Sequence, residues 1–426
     1  MDTESAPAEG AATRRGGLSA MARKRFPALY MRDFRLFWTG QCVSLVGTWM
    51  QNVGQSWLVL ELTGSPAKLG IVSAVQFLPV MLFSPLAGPF IDRLPKRRLI
   101  VATQTALMLL AAALATITAL GIARFWMVLV LALLLGTVNL FDVPARQSYI
   151  IELTGREVLM NAVSLNSAAF NLARIFGPAV AGLLIEAIGI APCFFLNALS
   201  FLAVIAALLA VRTPDRRTSG REGGIRAALE SMREGLGYVA ARREIVLPIA
   251  LLGVISLFII NYNIFVPTFA RIALGRGASG YGFLMTMIGV GALVAALGLA
   301  ARSSQGPSPL RIYGGAIGVC LAMGAIGFQR SYALTCVLLG LVGFCSISFT
   351  ASANAAVQLA SDDEHRGRVM SVHAWIFSGI TPVGALYAGT VTDAAGPAFC
   401  MILSGAVGLA AAVAAAFLAP RRRAAR

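Results

Sequence analysis

Acidic residues are scarce in this chain: 19 Asp and Glu among 426 residues, against 35 Lys and Arg. Charged residues make up only 13% of the chain, too few to keep a sequence that is 58% hydrophobic in water. Histidine occurs twice. The six cysteines (Cys42, Cys193, Cys320, Cys336, Cys345 and Cys400) all fall inside apolar runs, with no C-x-x-C and no Cys/His cluster. That pattern indicates neither a zinc site nor a disulfide framework, and the cysteines read as small buried hydrophobes. There is no G-x-x-x-x-G-K-[ST] phosphate loop, so the chain cannot power itself with ATP. Nucleophile–base pairs and metal-ligand clusters are also missing, so neither a metal nor a cofactor is expected. The first thirty residues are polar and basic without an apolar core. The first hydrophobic helix is therefore expected to act as an uncleaved insertion signal.

Long apolar runs are what the chain does contain, and its mean hydropathy is +0.77. Twelve segments are long and apolar enough to cross a bilayer. They lie near 35–61, 66–90, 99–121, 125–151, 158–188, 191–211, 245–270, 280–301, 311–329, 333–359, 369–392 and 397–419, and are numbered here as spans one to twelve. The expected fold is an all-α integral membrane protein of two six-helix halves. Its parts are a cytoplasmic arm (1–33), a first bundle (34–211), a linker with an amphipathic helix (212–244), a second bundle (245–420) and a basic tail (421–426). Within the linker, "GIRAALESMREGLGYV" has the pattern of a surface helix.

The bases set the orientation. With both termini in the cytoplasm, 29 of the 35 Lys and Arg fall on that side, five fall on the other, and Arg174 lies within a span. A pI near 10.5 in a soluble protein would suggest nucleic acid. Bases distributed between apolar runs are a topology signal, so no nucleic-acid partner is expected. The halves also repeat weakly: Gly136 and Gly340 share an offset with Pro178 and Pro382, and "SPAKLGIVSAVQFLPV" resembles "GASGYGFLMTMIGVGA". Two related six-span halves point to a transporter with a midplane site between them.

Between spans two and three lies "GPFIDRLPKRRLI", which holds Gly88, Asp92, Arg93, Lys96, Arg97 and Arg98. Topology explains the bases but not the one acid. This loop resembles the signature of the major facilitator superfamily, in which the glycine permits close helix packing and the charges lock the cytoplasmic ends of the halves together. Pro95 stands where a second glycine is usual, and Ser304 stands where the second half would need an acid. Span five carries "ARIFGPAVAGLLIEAIG", and Gly177, Pro178 and Gly182 within it resemble the glycine–proline motif of the superfamily's exporters. Simple helix packing is the competing reading of that motif. "YMRDFRLFWTGQCVSLVGTWMQ", "DVPARQSYI" and "NAVSLNSAAFNLARIFGPA" resemble the branch of the enterobactin exporter and the macrolide efflux proteins. That resemblance implies export of a small amphipathic, siderophore- or drug-like molecule, driven by protons; a monomer in the cell membrane is expected.

The polar residues within the spans can be read directly. Asp142 in span four and Arg174 in span five read as the charges deepest in the hydrocarbon, and such residues mark function or pair with each other. Arg174 lies about 9 Å deeper than Asp142 at 1.5 Å per residue, within reach of a long side chain. A structural Asp142–Arg174 pair is the favoured expectation. Proton coupling by Asp142 and recognition of an anionic substrate by Arg174 are the alternatives. Gln41, Thr48, Asn52 and Gln55 form a stripe on one face of span one. Together with Asn166 and Arg174 in span five and Asn261 and Asn263 in span seven, they are candidates for lining a substrate cavity, with interhelical hydrogen bonding as the bland alternative. His373 reads as a packing histidine, and "SDDEHRGR" as a solvated loop able to pair with the opening motif. A proton-coupled importer is the second reading, and a membrane-embedded enzyme or sensor is a third.

Overall fold

A computed structural model describes residues 25–214, 225–301 and 306–419. The N-terminal arm up to residue 24, residues 215–224, Ser304 and the basic tail lie outside them, as does the side chain of Asp92. Among the described residues every regular element is helical. Eleven segments are long and apolar enough to cross a membrane. They begin with Pro66–Ser84 of span two and end with Pro397–Leu418, which is span twelve. The segment expected as span one is also one helix, Arg32–Thr63, of 32 residues. At 1.5 Å per residue it is roughly 48 Å long, more than a bilayer core needs. It is not among the eleven, because its Gln and Asn residues dilute its apolar character.

Span one is held by small residues. Gly40, Gly47 and Gly54 recur every seven residues along one face of Arg32–Thr63. A methyl group on them would lie 2.8 Å from the Ala203 carbonyl, 2.6 Å from the Asn197 side chain and 3.0 Å from the Phe194 ring, all on span six (Ala191–Ala210). Lipid offers no hydrophobic drive to bring helices together, so close approach through glycine has to supply the packing.

The two sets of six helices pair in the same way. Span one packs on five and six, two on four, and three on four and six. In the second set, seven packs on eleven and twelve, eight on ten, and nine on ten and twelve. Between the sets, span two (Pro66–Arg93) meets span eleven, and span five (Leu159–Ile188) meets span eight (Ala278–Ala301). The repeat aligns Pro178 with Ala385 at these crossings. Pro382, which shares its sequence offset with Pro178, lies three residues away.

Two spans are broken. Span seven runs as Arg243–Phe258, then as Tyr262–Thr268, which passes into a π-helical turn over Phe269–Ala273. At the break the amide of Asn261 donates to the Leu257 carbonyl at 2.7 Å, satisfying an acceptor that the interruption frees. Span eleven runs as Arg366–Gly379 and Thr381–Ala395. Pro382 lies in the first turn of the second piece, where its missing N–H costs nothing.

The loop between spans two and three turns through Leu94 and Pro95. Lys96 is buried, and its ammonium donates to the carbonyls of Ile91 (2.6 Å) and Leu94 (3.2 Å). Arg97 donates to the Leu209 carbonyl at the end of span six. Both bases therefore make these bonds inside the first half. The linker helix Ile225–Ala241 is not a free surface helix. Val239 is buried against Ile245, Val357, Val369 and Val372, so the helix straps the basic end of the bundle.

Candidate functional site

Between the halves lies a cavity of about 920 Å³. It runs from Thr48, Asn52 and Gln76 at mid-height to Gly88, Gln147, Ser231 and Met232 at the basic end. Its walls combine amides (Gln51, Asn52, Gln76, Gln104, Asn139, Asn197) with aromatic rings (Trp49, Phe77, Phe170, Phe201, Trp375). The amides come overwhelmingly from the first half, and the second half contributes Asn263, Ser371, Trp375 and Ser378. The Trp375 indole donates to the Met81 carbonyl at 3.0 Å, bridging spans eleven and two beside the cavity.

Of the residues proposed from sequence, Thr48, Asn52 and Asn263 stand on this wall, as does Gly88 at its mouth. Gln55 stands behind it and donates to Gln76 at 2.9 Å. Gln41 is buried along span one, away from the wall, and its carbonyl oxygen has no hydrogen-bond partner. Asn166 and Arg174 do not line the cavity, and Asn261 is occupied with the helix break. Sequence reading missed Gln51, which accepts from Asn197 at 2.6 Å, and Gln76, Gln104 and Asn139.

Asp142 is completely buried, and its partner is not Arg174. One carboxylate oxygen accepts from the Thr103 hydroxyl (2.7 Å) and the Gln104 amide (2.9 Å) of span three. The other forms an ion pair at 2.8 Å with Nε of Arg146, one helical turn along span four (Phe125–Thr154). That contact is electrostatic, since the N–H is not aimed at the oxygen for a hydrogen bond. Arg146 lines the cavity, and 17% of its side chain is accessible. Its i,i+4 spacing in "DVPAR" was legible in the sequence. Sequence reading had instead counted Arg146 among the 29 bases of the cytoplasmic side, leaving Arg174 as the one base within a span.

Arg174 donates to Asn171 of its own helix at 2.9 Å. Its Nε is buried with no hydrogen-bond partner, and among the described residues no carboxylate lies within ion-pair distance. It is within electrostatic reach of Tyr262, the residue that restarts span seven, whose hydroxyl shares a 2.7 Å hydrogen bond with Ser346.

At the end opposite the bases the halves are closed. A methyl on Gly70 of span two would lie 2.9 Å from Gly389 Cα, and one on Gly182 would lie 3.1 Å from Gly282 Cα. A methyl on Gly282 would collide with the Pro178 carbonyl, and one on Gly177 would collide with Trp49. The span-five motif therefore lies in the seam between the halves and behind the cavity wall. Gly88 differs from this pattern: nothing lies within 4 Å of where its methyl would be. In the superfamily pattern that glycine permits close packing, but here the basic end is splayed around the cavity mouth.

The acidic loop after span ten finds partners on the linker. Asp362 accepts from Arg242 (2.9 Å) and Tyr238 (2.8 Å), and Arg368 pairs with Glu234 at 3.2 Å. Hydrogen bonds from Arg242 and Tyr238 hold the Asp362 carboxyl below the usual carboxylate range. His373 is buried in span eleven.

The family model described as transmembrane secretion effector matches residues 24–425. The chain is 28% identical over 356 residues to the multidrug efflux pump Tap of Mycolicibacterium fortuitum, covering 82% of this chain and 87% of that one. It is 25% identical over 370 residues to the staphyloferrin A transporter of Staphylococcus aureus, covering 85% and 90%. It is 24% identical over 394 residues to macrolide efflux protein A of Streptococcus pyogenes, covering 87% and 92%. Among solved structures it resembles the nucleoside transporter NupG, with a TM-score of 0.74 at 12% identity over 92% of this chain and all of that one.

Proposed function

Because the chain belongs to the transmembrane secretion effector family of major facilitator transporters, we propose that it exports a bulky amphipathic small molecule across the cell membrane by alternating access. The observation that carries this reading is the cavity of about 920 Å³ at the basic end. It is within the range of drug-sized sites. Its wall pairs hydrogen-bonding amides with aromatic faces, and the one strong charge on it among the described residues, Arg146, is neutralised by Asp142. Such a wall favours a ligand with both polar and apolar faces and little net charge. The positive-inside rule places the basic end in the cytoplasm, so this conformation is the state that loads substrate from inside. The likeness to efflux pumps for drugs and macrolides supports outward movement.

Proton antiport by a monomer completes the reading. Asp142 is the acid best placed to carry the proton. It is dry, yet its partners Arg146 and Gln104 line the cavity, so a bound substrate can act on the carboxyl through them. The test is accumulation of a macrolide and of staphyloferrin A in cells with and without the gene, with and without an uncoupler. The expected result is lower accumulation with the gene, abolished by the uncoupler. Higher accumulation with the gene would establish import.

A further inference from the structure

Two carboxylates stand at the closed end, away from the cavity. Glu186 is in the last turn of span five (Leu159–Ile188) and Asp393 in the last turn of span eleven (Thr381–Ala395), each two residues before the helix ends. A negative charge there faces the negative end of its own helix dipole, which is unfavourable. Each acid is met instead by the first turn of a helix from the other half. Asp393 accepts from the Ser65 hydroxyl (2.9 Å) and the Ala67 amide (3.4 Å) where span two begins. Glu186 accepts from the Ser279 amide (3.2 Å) where span eight begins.

The two arrangements are copies of one design. One turn before each acid is a glycine, Gly182 and Gly389, and these cross Gly282 and Gly70 of the partner helices. In both cases the amide that the acid accepts from lies three residues before the partner glycine: Ala67 before Gly70, Ser279 before Gly282. The internal repeat has thus kept a glycine crossing and a carboxylate clasp together on each side of the seam. A third acid at this end, Glu61, is bonded by Trp57 of its own helix at 2.7 Å and, among the described residues, makes no hydrogen bond or ion pair across the seam.

We infer that Glu186 and Asp393 are paired latches that hold this end of the bundle shut and set the ratio of closed to open states in the transport cycle. The inference rests on the alternating-access reading but not on the direction of transport, the substrate or the coupling ion. Both acids are exposed, so water can take over their hydrogen bonds when the halves part. A clasp of that kind is worth little by itself, which suits a gate that must open on every turnover. A charge at an exposed helix N-terminus is worth a factor of about two to five in an equilibrium constant. Two separate latches multiply to a factor of about four to twenty-five.

The test uses the full chain in lipid nanodiscs, with its six cysteines replaced and spin labels on Ile122→Cys and Phe328→Cys. These are exposed positions after spans three and nine, at the closed end of opposite halves. Double electron–electron resonance should show the long-distance population rise about two- to fivefold relative to the short one in Glu186→Ala or Asp393→Ala. In the double variant it should rise about four- to twenty-fivefold. Glu186→Asp with Asp393→Glu should move the ratio back, and Glu61→Gln should leave it alone. If the double alanine variant does not fold, Glu186→Gln with Asp393→Asn, which keeps the acceptors and removes the charges, must still raise the long-distance population. An unchanged distribution in a folded double variant overturns the inference, as does an equal shift from Glu61→Gln. Shifted distances together with uptake instead of efflux would leave the latches standing and sink the export reading.

Discussion

Arg146, not Arg174, should be energetically coupled to Asp142. At 2.8 Å two unit charges in an effective dielectric near 20 attract by roughly 6 kcal/mol, before the cost of drying them. Asp142 is wholly dry and Arg146 is partly wetted by the cavity. Arg146→Gln strands a carboxylate with only Thr103 and Gln104 to hold it, so it should cost about 3–5 kcal/mol. Asp142→Asn strands a cation that can turn towards cavity water, and should cost less, about 2–3 kcal/mol. With both changed, the buried charge is gone and at least half the loss should return. The readout is thermal unfolding in detergent of the two singles and the double, together with Arg174→Gln and its double with Asp142→Asn. Asp142 and Arg146 should show a coupling above about 1.5 kcal/mol, and Asp142 and Arg174 should be additive to within about 0.5 kcal/mol. Coupling to Arg174 with none to Arg146 would refute the geometry on which this reasoning stands.

Two further perturbations test other parts of the structure. Gly136→Ala puts a methyl into the Gln76 carbonyl where spans four and two cross, and should sharply reduce folded yield by size-exclusion chromatography. Gly88→Ala enters open space, so it should melt like the parent while slowing transport if the basic end must close over it. The carboxylate of the Asp362 clasp to Arg242 and Tyr238 should be lost only in acid. The folded carboxyl titrates below its unfolded value, so whatever stability the clasp adds is present above that unfolded value and is lost only as pH falls through the lower, folded one. Hydrogen exchange in Ile225–Ala241 should therefore quicken as pH falls below the usual carboxylate range, and Asp362→Asn should remove that step; a step that survives the substitution would contradict the assignment.

How much of this was legible beforehand depended on whether the signal was local. A hydropathy run is a property of twenty neighbouring residues, and the excess of bases on alternate links is a count along the chain. The apolar spans, their number to within the polar first helix, and the resemblance of "GPFIDRLPKRRLI" to a family signature could all be read from the order of residues. The Asp142–Arg146 spacing was local too, and was overlooked because Arg146 sits near the end of its span.

Partner choice between helices was not local. Arg174 was judged able to reach Asp142 from depth alone, which fixes position along the helix axis but not the direction in which each side chain points. That direction is set by how spans four and five rotate against their neighbours, and those contacts join residues far apart in sequence. Packing turned Asp142 towards Thr103 and Gln104 and gave Arg174 Asn171 as its bonded partner. It also split one polar stripe on span one: Thr48 and Asn52 face the cavity, while Gln55 faces Gln76. By itself the sequence determined that this chain spans a membrane as paired sets of helices with one basic face. Only the tertiary structure decided which polar groups meet the cavity, because each helix must spend its few glycines on close neighbours, and the faces left over are the ones the cavity receives.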